Sequence, residues 1–493
     1  MENIKRSKIV RLLGKQLDKR DNLEVSNNYI FAVLFTGAVI VIVNQMAMNT
    51  ALPSMIESIG VTPSLGQWIV SGFTLVKGIM VPITAFAMTR YRTRNLFNLM
   101  LGLFSIGSFI TAIGFNFLMV VFGTVIQGVA SGMILPIMQT VLLTLMPVNK
   151  RGSSMGVMSG VLGIGTALGP LIGGTIVDLF TWNVLFYLWG IITLLLIPLS
   201  WLFLPDVLPN SNQQIEWGNV RDSLIGFGLL LYSVSIFGNS GLRSPIAIIS
   251  LIIGLFFIIK FIRYNLNSEK PLLNIRLLAN KRYAIAVIIA TFAIMIINGV
   301  STVLPIYIQT VRGFGASITG LVILPAGIIK TVLSPISGKL FDKMGIAKIG
   351  IIGGISLVIG AVLMATVSET TPLINVMIYY AFIYAGFGIF NIPVTTLGMN
   401  EIARKEMGHA TSVRQTVRQI SSSFSISILF ILMSFVTGLT SKYSMNELAS
   451  QESTAINLSG ARAGFMLIAI FAISALALIF FLKDKTMEEA REA

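Results

Sequence analysis

The chain contains no cysteine, a single histidine, and only 20 acidic residues against 35 Lys and Arg among its 493 residues. The missing cysteine excludes disulfides, thiol nucleophiles and thiolate metal sites. The single His409 is expected to pack at a helix end rather than to ligate. Acids are also absent from the middle of every long apolar run: Asp178, Asp222 and Glu401 lie at ends of such runs, and Asp342 lies in a loop. Hydrolysis or acyl transfer inside a membrane would need a nucleophile with histidine or paired carboxylates, and the sequence offers neither. There is no GxxxxGK[ST] phosphate loop, so the chain itself does not hydrolyse nucleotide. The reading is of a protein that is no enzyme and carries no cofactor and no metal.

What is abundant is apolar. Hydrophobic residues make up 55% of the chain, charged residues 11%, and the mean hydropathy is +0.85, the composition of an integral membrane protein. A span needs ~20 apolar residues. Fourteen fit, at roughly 30–52, 67–88, 96–114, 118–145, 154–177, 183–204, 222–239, 245–264, 283–304, 316–337, 347–367, 374–399, 410–435 and 463–482. An even number puts both termini on one side, and the positive-inside rule makes that side cytoplasmic. Of the 35 basic residues, four then fall in external loops (Arg243, Arg312, Lys442, Arg462), four within spans, and the rest in cytoplasmic segments. The net charge of +15 thus reflects membrane topology rather than nucleic-acid binding. In the first 28 residues, Lys5, Lys8, Arg11, Lys15 and Lys19 alternate with Ile9, Val10, Leu13 and Leu17 at helical spacing, suited to anionic membrane lipid. No cleavable signal peptide is expected, because the first apolar run is long enough to span. The segment 436–462 is the longest external connection and is too short for a domain.

Residues 156–174 place Gly156, Gly165, Gly169, Pro170, Gly173 and Gly174 in one span. Glycine lets helices approach closely and proline removes a backbone donor, so this helix packs tightly and bends. An internal repeat sets the architecture. Residues 77–91 align without a gap on 330–344, pairing Lys77 with Lys330, Pro82 with Pro335, and Thr89 with Asp342. Duplicated halves put the functional site between them. The expected division is a cytoplasmic tail at 1–28, a six-helix bundle at 29–204, a linker with two inserted helices at 205–282, a second six-helix bundle at 283–482 and a cytoplasmic tail at 483–493.

These segments resemble the major facilitator superfamily, and within it the fourteen-helix drug:proton antiporters, in particular the lincomycin-resistance efflux branch. The glycines of 156–174 match the family's helix 5 motif. Gly338, Leu340, Asp342 and Gly345 match its GxLxDxxG gating motif, and Arg90 ends the corresponding stretch of the first half. Asn49 to Pro53, Gln127 with Gly128 and Gly132, and residues 271–278 match further stretches. The resemblance implies an all-α membrane fold of two six-helix bundles plus two inserted helices, alternating access, a proton gradient as energy source, a monomer, and efflux linked to antibiotic resistance. Some charges that the family carries are replaced: Asn44, Thr89, Thr124 and Asn183 stand at positions where relatives have an aspartate or an arginine. That tells against the family's usual carboxylate proton site.

The ionisable residues within the spans are all basic: Lys77, Lys330, Arg414 and Arg418. A mid-bilayer charge costs ~3 kcal/mol or more, so such residues face a cavity or a partner. Each lysine lies twelve residues before the loop position of Thr89 or Asp342, about 18 Å at ~1.5 Å per residue and thus near the midplane. They are candidate anchors for a phosphate, carboxylate or acidic lipid headgroup, or one of them a proton carrier; the plain alternative is that each snorkels to an interface. Arg414 and Arg418 share a helix face and are read as gating residues near the cytoplasm, with Glu401, Glu406 or Asp342 as partners. Asn44, Gln45, Asn49, Gln127, Gln139, Asn298, Gln309 and Asn391 are candidates for a polar cavity lining. The resulting expectation is a secondary-active exporter of a small amphipathic compound in the bacterial cytoplasmic membrane, with multidrug:proton antiport as the default. One rival is export or flipping of an anionic metabolite or lipid; another is a transport-inactive receptor or scaffold.

Overall fold

A computed structural model describes residues 27–207, 216–240, 244–268, 271–314, 316–443 and 457–482. The basic residues of the first tail, the tail at 483–493, Arg243, and residues 444–456 of the 436–462 connection lie outside the described residues.

Helices follow where the apolar runs stand. The first half contains α1 (Asn27–Ile59), α2 (Pro63–Arg90), α3 (Thr93–Ala112), α4 (Phe117–Leu145), α5 (Arg151–Leu179) and α6 (Trp182–Phe203). The insert is α7 (Trp217–Ser240) and α8 (Pro245–Asn267). The second half begins with α9 (Lys281–Ile306). The helical run Ala316–Ala365 is broken at Gly345, whose φ of 74° is a left-handed value that favours glycine, into α10 (316–344) and α11 (346–365). Then come α12 (Leu373–Asn400), α13 (Met407–Tyr443) and α14 (Leu458–Ile479).

Caps mark the starts. Asn116 Oδ1 accepts from the Met119 amide at 2.9 Å, Asn280 from Arg282 and Tyr283, and Asn457 from Gly460, each satisfying amides that a helix start leaves unpaired. Several helices outrun their apolar cores. Helix α1 continues to Ile59 and α13 begins at Met407, because polar residues at membrane level are tolerated where protein covers them. Thirteen helices among the described residues are long and apolar enough to cross a membrane. The exception, α7, carries Asn219, Arg221 and Asp222 in its first turns.

Two apolar clusters form, one centred on α1–α6 that also takes in residues of α7–α9, α12 and α13, and one within α9–α14. Between the halves, α5 packs on α10, and α13 on α2 and α4. The hairpin α7–α8 rests α7 against both α2 and α13. The ends of the molecule are distinguished below as the terminal face, where α1 begins and α14 ends, and the opposite face.

Candidate functional site

The site is closed toward the terminal face. Along α5, Gly152, Gly156, Gly160 and Gly163 turn toward α10. A side chain at Gly156 would stand 2.8 Å from the Ser334 carbonyl oxygen, at Gly160 2.9 Å from the Pro335 ring, and at Gly163 2.8 Å from the Thr331 hydroxyl. Further along the same helix Gly169 and Gly173 face α1 instead, with Gly173 against the backbone of Ala47; Gly165 and Gly174 meet α1 side chains at looser distances. Pro170 is exposed. Helix α5 therefore has two small-residue faces, one within its half and one across the halves.

The seal ends in a clamp. Asp342 accepts from the amides of Gly152 at 2.9 Å and Ser153 at 2.7 Å, and from the Ser153 hydroxyl. A carboxylate thereby sits on the positive end of α5. Gly338 packs backbone to backbone against Gly152. In the first half, Thr89 bonds the Phe86 carbonyl of its own helix at 2.8 Å, so the repeat carries no second carboxylate clamp. Arg90 is half-buried at the end of α2. Arg151 reaches Asn400 at 3.0 Å, and buried Arg414 donates to Gln139, which also accepts from Gln415 at 3.2 Å.

The Asp342→Asn substitution removes the clamp's charge, worth ~1 kcal/mol at a helix N-terminus, and shifts the closed fraction of the terminal face about fivefold. The absence of cysteine makes this measurable. A cysteine replacing Ser301, exposed on α9, is expected to react with maleimide more slowly in the Asp342→Asn background; an unchanged rate would show that the charge does not hold the seal.

Toward the opposite face the halves part. Gly320 and Gly327 on α10 have no neighbour within 4 Å of where a Cβ would stand. Asn49, Thr50, Ser301 and, at mid-helix, Arg418 are all exposed. Polar groups and a charge at such depth mark a wet cavity, since lipid would penalise them.

Three cations share this cavity. Lys77 Nζ donates to Gln45 Oε1 at 2.7 Å. Lys330 Nζ lies 5.3 Å from the Phe387 ring centroid and 6.0 Å from that of Tyr384, within cation–π range. Arg418 is near enough for its charge to act on both lysines. Four ion pairs occur among the described residues, Arg92–Asp206, Arg221–Asp222, Lys260–Asp222 and Arg282–Glu401, and none involves these three.

The amides divide. Asn44 Nδ2 donates to Gln127 Oε1 at 2.9 Å and Gln127 to Thr111 at 3.1 Å, all fully buried, which makes them bridges between helices rather than lining. Gln45 is half-buried and holds Lys77, and Asn49 is exposed one turn further along α1. Asn298 donates to Ser422 at 2.6 Å, joining α9 to α13 one turn from Arg418. Asn391 is half-buried on α12. Gln309 bonds Thr319 at 3.2 Å near the opposite face, away from the lysines. The acids expected beside the arginines are engaged elsewhere: Glu401 with Arg282, Glu406 with Asn274, and Asp342 with α5. Arg418 stands beside the lysines because α13 starts early and its first turns fill the terminal-face seal. Buried His409 accepts the Asn274 amide at 3.3 Å, a packing role.

Sequence reasoning overlooked Gly152, Gly160 and Gly163, whose small-residue spacing was available, and the rings of Tyr384 and Phe387, for which nothing local signals a nearby lysine. The sequence profile of the Major Facilitator Superfamily matches residues 34–426. The chain belongs to the major facilitator superfamily. Among proteins of this superfamily, it is 30% identical over 461 residues to the Uncharacterized MFS-type transporter YcnB of Bacillus subtilis, covering 93% of this chain and 95% of that one. Lincomycin resistance protein LmrB of the same organism is 26% identical over 392 residues, covering 79% and 82%. A double-tryptophan mutant of XylE shares the major facilitator fold, with a TM-score of 0.67 at 16% identity over 93% of this chain and 97% of that one. As a major facilitator, the chain is a multi-pass membrane transporter, and neither its family nor its fold is that of an enzyme.

Proposed function

We propose that the chain is a secondary-active exporter that moves amphipathic compounds bearing an anionic group across the cell membrane by alternating access, as a monomer. The observation that carries this reading is the set of three cations, Lys77, Lys330 and Arg418, around one cavity with no ion-paired acid. Holding that much like charge together is costly unless an anion completes the site. The terminal face is cytoplasmic, on the support of the Lys and Arg distribution, so the cavity opens outward. Gln45, Asn49, Asn298 and Asn391 are proposed to contact substrate, with Asn44 and Gln127 behind them. Proton-motive force supplies the energy, and with no mid-membrane carboxylate the lysines are the titratable groups left in the cavity. Cytoplasmic closure rests on the α5–α10 glycines, Asp342 and Arg414.

A second reading, multidrug:proton antiport of neutral or cationic drugs, is favoured by the name of LmrB, a lincomycin resistance protein. Ligand-induced thermal stabilisation of the purified protein separates the two. Anionic lipids, fatty acids and nucleotides are compared with lincosamides and cationic drugs. An anion at a hundredfold its Kd stabilises by about 2.7 kcal/mol. Stabilisation by cationic or neutral drugs with none by anions would overturn the anionic reading.

A further inference from the structure

Beside the cation cavity, the inserted hairpin takes part in a second, smaller cleft. Where α2 and α13 diverge, Trp68, Val70, Ser71, Thr74 and Leu75 of α2, Gln419 and Ser423 of α13, and Leu231 of α7 enclose about 200 Å³. Three helices from three parts of the chain meet here. A side chain at Gly78 would touch Leu231 at 2.8 Å and Gln419 at 2.9 Å, so α2, α7 and α13 converge one residue from Lys77 and one from Arg418. Thr74 stands one turn from Lys77 on the same face of α2 and lines the cleft. The cleft therefore lies beside the cations, next to Lys77 along α2 and next to Arg418 along α13. One wall is apolar, made by Trp68, Val70, Leu75 and Leu231, and Trp68 is held by stacking on Tyr232 of α7 at 5.7 Å between ring centroids. The other wall is polar, made by Ser71, Thr74, Gln419 and Ser423, and a recess with one apolar wall beside a cluster of cations is complementary to an amphiphile with a charged head and a hydrocarbon part.

We infer that this cleft binds the hydrocarbon chain of a single-chain anionic amphiphile whose carboxylate or phosphate sits among Lys77, Lys330 and Arg418, with α7 as a specificity wall. The inference rests on the anionic reading given above. It assigns the insert a direct contact with substrate. A compound with the head but no chain occupies only the cavity, and a longer chain gains affinity until the cleft is filled. Burying a methylene contributes about 0.8 kcal/mol, which is about fourfold in Kd.

The test measures binding of a series of alkyl phosphates, ethyl to dodecyl, to the full-length protein in lipid nanodiscs. Three proteins are compared: wild type, Ser71→Phe, which fills the cleft from α2, and Leu231→Ala, which enlarges it from α7. For the wild type, affinity rises about fourfold per methylene and then levels off. In Ser71→Phe the rise is lost while ethyl phosphate binds as before. In Leu231→Ala the levelling-off moves to longer chains. The second variant keeps the test decisive if the first fails to fold. A chain-length dependence identical in all three proteins would overturn the cleft assignment, since the gain would then come from partition into the bilayer. No binding of any alkyl phosphate by the wild type overturns the anionic reading and this inference with it. Chain-length dependence shared by alkyl phosphates and alkylammonium ions, and abolished by Ser71→Phe, upholds the cleft but removes the anionic head.

Discussion

Gly156→Leu is expected to abolish transport and leave a folded, membrane-inserted protein. Any side chain at this position meets the Ser334 carbonyl oxygen at 2.8 Å and the Pro335 Cα at 3.0 Å, both backbone atoms of the facing helix α10. Backbone in a packed helix cannot rotate away as a long side chain can, so the two halves must separate at their terminal ends. Overpacking costs ~1–3 kcal/mol, and here it falls almost wholly on the state in which α5 and α10 touch. A cost of that size shifts the balance of states roughly five- to 150-fold. The affected contact lies between the halves, outside the packing of α1–α4 and of α11–α14, and this is why folding survives. The cysteine at position 301 reads the result: its labelling from the opposite face falls as the transport rate falls. Gly102→Leu is the matched control, because no atom lies within 4 Å of the added Cβ, and its transport stays within about twofold of wild type on the same overpacking argument. Wild-type transport by Gly156→Leu would mean that the α5–α10 contact is not part of the cycle.

Joint replacement of Lys77 and Lys330 by methionine is expected to weaken binding of an anionic substrate by at least about a hundredfold and to stop its transport. A hydrogen bond to a charged group contributes ~1.5–3 kcal/mol, so losing two exceeds the 2.7 kcal/mol that corresponds to a hundredfold. Methionine is flexible and apolar and suits both positions, one beside Gln45 and the other beneath the rings of Phe387 and Tyr384. The only new structural debt is the Gln45 carbonyl oxygen, which faces a wet cavity and takes a water instead. Arg418 remains in the double variant, so residual binding measures what the guanidinium does alone. Uptake into inverted vesicles together with binding by calorimetry checks both effects. Unchanged transport by a well-expressed double variant would leave the lysines without a role in recognition.

The fold was legible because its signals are long: apolar runs above span length, an internal repeat and a glycine-rich helix 5. The site was legible in part. Lys77 and Lys330 stand out in any sequence reading because charge within an apolar run is rare. The function of the α5 glycines was harder to divide. Gly156 and Gly165 look alike in sequence, yet one faces α10 across the halves and the other faces α1 within its half, a difference that lies in helix rotation rather than composition. The sequence pattern puts Arg418 near the helix end, because apolar residues define span limits, whereas α13 extends three residues earlier than its apolar run and buries its polar start against α4 and α2. Tyr384 and Phe387 reach Lys330 across the space between α12 and α10, a contact with no local trace. Nor does hydrophobicity say which amides bridge and which line: Asn44 and Gln45 are neighbours in sequence, one pairing with Gln127 in the core and the other with Lys77.

The hairpin α7–α8 touches both halves, but not by equal means. The Ser427 hydroxyl of α13 donates to the Val234 carbonyl of α7 at 2.9 Å. Asn265 of α8 holds Asn219 and the Leu273 amide, and the next residue, Asn274, is bonded to His409 and Glu406 beside α13. On the other side, α2 meets α7 through Ile79 against Gly228, through Leu231 beside Gly78 and through Trp68 stacked on Tyr232, contacts between apolar and aromatic groups. If the halves rock as proposed, the hairpin is hydrogen-bonded to the second half while its apolar side stays packed against the first, so it bridges the moving parts rather than belonging to one of them.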